Sequence, residues 1–325
     1  MDTTTSNSPQ EIPAFGLPDS RAGKGGKTPS AHEISGRSDT PGPDVRSLGK
    51  RPWLVLGGGG LKGLAHVGAW RALTEAGVTV QGIVGTSVGA LIGALVAGGM
   101  GWEELDGLAR ALRRQDIVRI NRRVVFINGI QQLSVFHGEA LREYLEQVLP
   151  EGGWDALGIP LQVNAVDLER GRTEWFGPGA RVDVSLAEAV YASAALPVFY
   201  PPAQMNGGAY VDGGVEHPLA LERAAEMGAT GIIGVDVGSG ETASTPEILK
   251  KGMLAIHERI FGMMTWRRRR DLLTHWDGPP LLYVRPRLDG YQAFDFDHAA
   301  YFVEEGYRAT KEALGPGIPS GRGAP

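Results

Sequence analysis

From Pro52 onward the chain alternates short, unbroken apolar runs with longer stretches of helical spacing. Trp53-Leu54-Val55-Leu56 is a buried-strand pattern, and the glycine run Gly57 to Gly60 follows it directly. Residues 61–76 have helical spacing and are closed by Gly77. Residues 78–84 predict a second strand and 87–97 a second helix, ended by Gly98-Gly99. A strand-helix-strand-helix order predicts parallel strands joined by helical crossovers. Further on, residues 102–114, 138–148, 186–195 and 219–227 read as helices, and 161–167, 172–176, 208–211, 231–237 and 281–284 as strands. Residues 246–275 predict one long amphipathic helical stretch, and 297–313 a terminal helix. The expected fold class is α/β, with a mainly parallel central sheet flanked by helices.

Composition adds boundaries to this pattern. Residues 1–50 are rich in Ser, Thr, Pro, Gly and Asp, without period and with few large apolar side chains, and are expected to be a disordered tail. One domain over 51–314 follows, and 315–325 is a flexible Pro/Gly tail. With 325 residues, 42% hydrophobic and 21% charged, the chain can bury one large core. The net charge of -5 gives no global attraction to nucleic acid, so a basic surface must be local, and Arg267 to Arg270 is one. Because no cysteine occurs, a disulfide framework and a thiol nucleophile are excluded. Residues 76–102 carry no charge and exceed the ~20 residues of a membrane span. Eight glycines and a Gly-Thr-Ser-Val-Gly turn inside them argue instead for strand, turn and helix. No signal peptide is recognised, so the expected location is the cytoplasm, with transient peripheral contact at a membrane surface.

Three glycine-framed segments carry candidate chemistry. Gly85-Thr86-Ser87-Val88-Gly89 fits the nucleophile elbow, G-x-S-x-G, and lies between a predicted strand and a predicted helix as that motif requires. Gly57-Gly58-Gly59-Gly60-Leu61-Lys62-Gly63 lies at the preceding strand-to-helix junction, where a side-chain-free loop can present consecutive amides to an oxyanion. Its Lys62 brings positive charge to the same turn. Gly58, Gly60 and Gly63 also match the dinucleotide fingerprint G-x-G-x-x-G, but the acidic residue expected at the end of the second strand is replaced by Gly85-Thr86-Ser87. Asp212-Gly213-Gly214, after a short strand, offers a carboxylate that can serve as a base without an imidazole. By itself that sequence is usually only a β-turn.

In this order the three segments resemble the patatin-like phospholipases, particularly the bacterial members. Ala192-Ser193-Ala194-Ala195-Leu196-Pro197 and Asn164-Ala165-Val166-Asp167-Leu168 fit the resemblance too, which runs from about residue 52 to residue 313. It implies a Ser-Asp dyad at Ser87 and Asp212, an oxyanion loop at Gly58, Gly59 and Gly60, a lipid or acyl-ester substrate, and no cofactor. Lys62, Gly63, Gly85, Gly89, Gly213 and Gly214 would support these motifs. Family members often carry arginine where this chain has Lys62. Two other readings stay open: a Ser-Asp-His triad using His298 or His217, with Asp236 as orienting acid, and a catalytically silent scaffold on the same fold. Oligomeric state is left open.

Overall fold

The computed structural model describes residues 45–124, 131–240 and 245–315. The expected disordered tail up to residue 44 and the C-terminal tail from residue 316 lie outside the described residues. The packed chain begins earlier than the boundary at residue 51 drawn from composition. Val45–Leu48 forms a turn of 3-10 helix, Leu48 is fully buried, and Thr230 Oγ1 donates to the Leu48 carbonyl at 3.0 Å. One leucine among polar neighbours gives no periodic signal, which is why composition placed the boundary too late.

The described strands form one sheet of eight. In chain order they are β1 (Pro52–Leu56), β2 (Gly82–Gly85), β3 (Leu161–Asp167), β4 (Arg172–Phe176), β5 (Ala203–Met205), β6 (Gly208–Asp212), β7 (Gly231–Val235) and β8 (Leu281–Val284). The order across the sheet is β5-β6-β3-β2-β1-β7-β8, with β4 also paired to β3. Strands β3, β2, β1, β7 and β8 run parallel, whereas β4, β5 and β6 run antiparallel to their neighbours. The main helices are α1 (Ala65–Glu75), α2 (Val88–Ala97), α3 (Trp102–Ala111), α4 (Gly138–Val148), α5 (Leu186–Ala194), α6 (Leu221–Glu226), α7 (Thr245–Lys251), α8 (Met253–Thr274) and α9 (Ala299–Leu314).

Strand β1 shows why both faces of the sheet need cover. All five of its residues are buried, as expected for an interior parallel strand. Because side chains alternate, Leu54 and Leu56 join the larger core while Trp53 and Val55 join a second core on the opposite face. The large core holds residues of α1, α2, α4, α5 and α9; the smaller one is closed by Leu219, Leu221 and Ala224. The long helix expected over 246–275 is two helices. Gly252, at φ 77°, breaks it in a backbone conformation that side chains other than glycine resist.

Candidate active site

The register of β3 brings distant segments together. Val163 pairs with Gly85 at the end of β2 and with Phe176 of β4, while Ala165 pairs with Asp212 at the end of β6 and with Glu174 of β4. A strand has only two edges. With β4 filling one, β2 and β6 must share the other, arriving from opposite directions and stopping two residues apart. The residues that follow each strand end, Thr86-Ser87 and Gly213-Gly214, therefore meet.

At the end of β2 the chain turns sharply into α2. Ser87 sits at φ 56°, ψ -125°, a strained conformation for a residue with a side chain. Gly89 is required by close approach, since a Cβ there would lie 2.1 Å from the Leu56 carbonyl oxygen. The turn is pinned by Thr86 N–H donating to Leu56 O at 3.0 Å and by Ser87 N–H donating to Ser193 Oγ at 2.8 Å. Ser193, on α5, in turn donates to Asn164 Oδ1 at 3.4 Å, and Asn164 Nδ2 donates to the carbonyls of Gly213 and His217. Asn164 and Ser193 thus tie the serine turn to the aspartate turn. Sequence reading included both in the resemblance but gave neither a role. Their polarity inside a strand and a helix that are otherwise buried was the available signal.

The two turns place Ser87 Oγ 2.7 Å from Asp212 Oδ2, with the hydroxyl donating. Gly214 N–H donates to the other carboxylate oxygen at 2.7 Å. Both side chains are buried. Burial pushes the Asp212 carboxyl from 3.8 up to about 6, against the lowering effect of its hydrogen bonds from Ser87 and Gly214. No imidazole stands between them. His298 pairs instead with Asp295 at 2.8 Å and is half exposed, His217 packs against Trp175, and Asp236 is held by Arg269 and Arg285. The structure therefore does not assemble the alternative triad. His66 is buried on α1, where Nε2–H donates to the Gly57 carbonyl.

The glycine loop lies against Ser87: a Cβ on Gly58 would stand 3.2 Å from the serine Cβ. Its amides are not equivalent. Gly58 N–H already donates to the Pro218 carbonyl at 3.0 Å, whereas Gly59 and Gly60 N–H have no acceptor among the described residues. Gly60, at φ 62°, turns the chain so that Leu61 N–H reaches Ala293 O. Gly63 packs on Val88, Gly85 on Ala90, and Gly213 on Asn164, each at a distance that excludes a Cβ. Lys62 is fully buried and donates to Ser239 Oγ at 3.0 Å. Desolvation, followed by repulsion from Arg285, lowers its ammonium to about 8.

Ser87, Asp212, Lys62 and the three loop glycines line a cavity of about 150 Å³. Beyond Ser87 its wall is apolar. Val88, Leu91, Ile92 and Leu95 supply one face of α2, opposed by Leu105, Leu108 and Ala109 from α3 and by Leu141 and Leu145 from α4. The i, i+3, i+4, i+7 spacing on α2 makes this wall ~10 Å long at 1.5 Å per residue. Phe199, Phe294 and, from α8, His257, Glu258 and Phe261 also line it, Phe261 lying against the Gly214 turn.

A mainly parallel sheet with a serine turn and an aspartate turn meeting at one strand edge, under a glycine loop, defines the patatin-like class of α/β proteins. The chain belongs to the patatin-like phospholipase family, whose model matches residues 54–225. An uncharacterised NTE family protein of Mycobacterium tuberculosis is 30% identical over 195 residues, 60% of this chain and 51% of its own length. Lysophospholipase nte1 of Aspergillus fumigatus is 28% identical over 290 residues, 83% of this chain but 18% of its own length. Patatin-like phospholipase domain-containing protein 7 of Mus musculus is 28% identical over 288 residues, 82% of this chain and 21% of its own. The chain thus spans about half the length of the mycobacterial relative and about a fifth of the others. Among solved structures, VipD from Legionella pneumophila covers 82% of this chain and 67% of its own at 16% identity, with a TM-score of 0.47.

Proposed function

We propose that this protein hydrolyses fatty-acyl esters of lipids through an acyl-Ser87 intermediate, with Asp212 as its base. The observation that carries this reading is the 2.7 Å hydrogen bond from Ser87 Oγ to a buried carboxylate, at the head of an apolar cavity. As Oγ attacks the ester carbonyl carbon, Asp212 Oδ2 takes the hydroxyl proton. The tetrahedral oxyanion faces the unengaged amides of Gly59 and Gly60, each such donor being worth roughly 3 kcal/mol in an acyl transfer. Gly58, expected in the same role, acts instead by fixing the loop through Pro218. The intermediate collapses, the C–O bond breaks, and the leaving alkoxide receives the proton from Asp212. Water then gives a proton to Asp212 and attacks the acyl carbon; the fatty acid leaves as Ser87 is reprotonated.

The surroundings of each group suit that sequence. A carboxyl near 6 is ionised at neutral pH yet basic enough to accept a proton from an attacked hydroxyl. The strained Ser87 turn presents the hydroxyl at the start of α2, where the helix dipole favours developing negative charge. The α2–α3–α4 wall offers methylene contacts to an acyl chain and little to a polar leaving group. Labelling by a fluorophosphonate probe tests the reading. Wild type should label and Ser87→Ala should not, with circular dichroism unchanged; labelling of the variant would move the nucleophile elsewhere.

A further inference from the structure

Away from the sheet, α8 carries a bare apolar stripe. Met253, Ile256, Ile260, Met263 and Met264 are exposed, Met253 at 81% and Met264 at 58%. Their spacing of three, four, three and one residues keeps them on one side of the helix, opposite the buried Ala255, Gly262, Thr265 and Arg269. An apolar helix side of this kind is ordinarily covered, and a contiguous exposed stripe marks an interaction surface. Leu249 on α7 extends it at 62% exposure. So does the loop beside α8, where His257 Nε2 donates to Pro197 O at 3.2 Å. Its next residue, Val198, is exposed and held at φ 72°, a costly conformation for a β-branched side chain. The same helix supplies His257, Glu258 and Phe261 to the catalytic cavity.

Cations bracket the stripe. Lys250 and Lys251 are exposed at the end of α7, Arg267 is exposed one turn past Met264, and Arg270 lies 4.7 Å over the Trp266 ring. Asp271 is the acidic neighbour, 3.8 Å from Arg270. Arg269, in the middle of the four-arginine run, belongs to the core: it is buried and paired with Asp236 at 2.9 Å.

We propose that this stripe is the face by which the protein lies on an anionic bilayer surface. Its methionines and isoleucines enter the headgroup boundary, and Lys250, Lys251, Arg267 and Arg270 meet lipid phosphates. The proposal rests on the reading of the cavity as a lipid-ester site, because docking there sets α8 between bilayer and cavity. A second copy of the chain fits less well. Both ends of the stripe are basic, so a two-fold contact would set cation against cation.

The test is co-sedimentation with vesicles of dialkyl-ether phosphatidylcholine, alone or mixed in equal parts with the matching phosphatidylglycerol, which no esterase consumes. One variant combines Met253→Asn, Ile260→Asn and Met264→Asn; another combines Lys250→Gln, Lys251→Gln, Arg267→Gln and Arg270→Gln. Wild type should bind the anionic vesicles, more weakly at high salt. The apolar variant should lose at least about tenfold on both vesicle types, and the charge variant about fivefold per cation on the anionic vesicles alone. Both should keep wild-type turnover of a soluble short-chain ester. Absence of vesicle binding by wild type, or equal binding by either variant, overturns the proposal. So does a wild-type dimer that the apolar variant abolishes without vesicle binding. Vesicle binding that follows the expected pattern in a protein that hydrolyses no ester would instead sink the hydrolase reading and leave the docking face standing.

Discussion

Replacing Asp212 by asparagine should make the protein both inactive and more stable. Burial lifts the Asp212 carboxyl from 3.8 to about 6. At ~1.4 kcal/mol per pKa unit, two units correspond to about 3 kcal/mol of stability forgone once the group is charged. The unfolded chain ionises near 3.8 and the folded chain near 6, so stability is lost between these values as pH rises and the deficit is constant above them. Asparagine removes the buried charge and keeps the shape. Its Oδ1 still accepts from Gly214 N–H, and its amide faces Ser87 Oγ, which can accept in turn. Melting followed by circular dichroism should show Asp212→Asn some 3–10 °C above wild type at neutral pH, from ~2–4 °C per kcal/mol with part of the gain lost to imperfect amide geometry. The difference should shrink through pH 6 and vanish below 3.8. A variant that melts at or below wild type at neutral pH would refute the reasoning, because the carboxylate would then be a net stabiliser.

Three further outcomes follow from the site and its supports. The pH profile of kcat/KM on a soluble ester should fall with decreasing pH, with a midpoint near 6 as Asp212 takes up a proton; a flat profile well below that value would point to a different base. Ala109→Trp, which fills the cavity wall opposite α2, should cut turnover of a palmitate ester at least about tenfold while a butyrate ester is spared, and equal losses on both would place the acyl chain elsewhere. Arg269→Gln should cost about 2–3 kcal/mol in denaturant titrations because it removes one of the two arginines that hold buried Asp236, leaving Arg285 in place, whereas Arg267→Gln should be near neutral; equal effects would contradict the assignment of these neighbours to opposite sides of α8.

What could be read from the sequence was what the chain specifies locally. The serine turn needed only glycines, a strand and a helix within a few residues; the turn and helix are where the pattern put them, while the strand expected over 78–84 is the shorter Gly82–Gly85. Strands 161–167, 172–176 and 281–284 and helix 138–148 were likewise legible from periodicity. Facts of pairing were hidden. Nothing local says that β6 stops two residues short of β2 on the same edge of β3, or that the Gly58 amide is already engaged by Pro218; the β5–β6 hairpin was missed although its Asn206-Gly207 turn is a local signal. In the basic run at 267–270, identical letters concealed different environments. Helical phase was the missed clue: Arg269 falls four residues after buried Thr265 and seven after buried Gly262.

The end-to-end meeting of β2 and β6 also sets when in its life the chain can assemble the proposed Ser87–Asp212 pair. Ser87 and Asp212 are 125 residues apart, and Asp212 arrives on a strand that must find β3 after both have been made. A nascent chain on the ribosome, threaded out from its N-terminus, carries the serine turn through a further 125 residues of synthesis before Asp212 exists. Any fragment cut before residue 208 is in the same position. On the proposed mechanism the site is complete only once β6 has been added to the sheet.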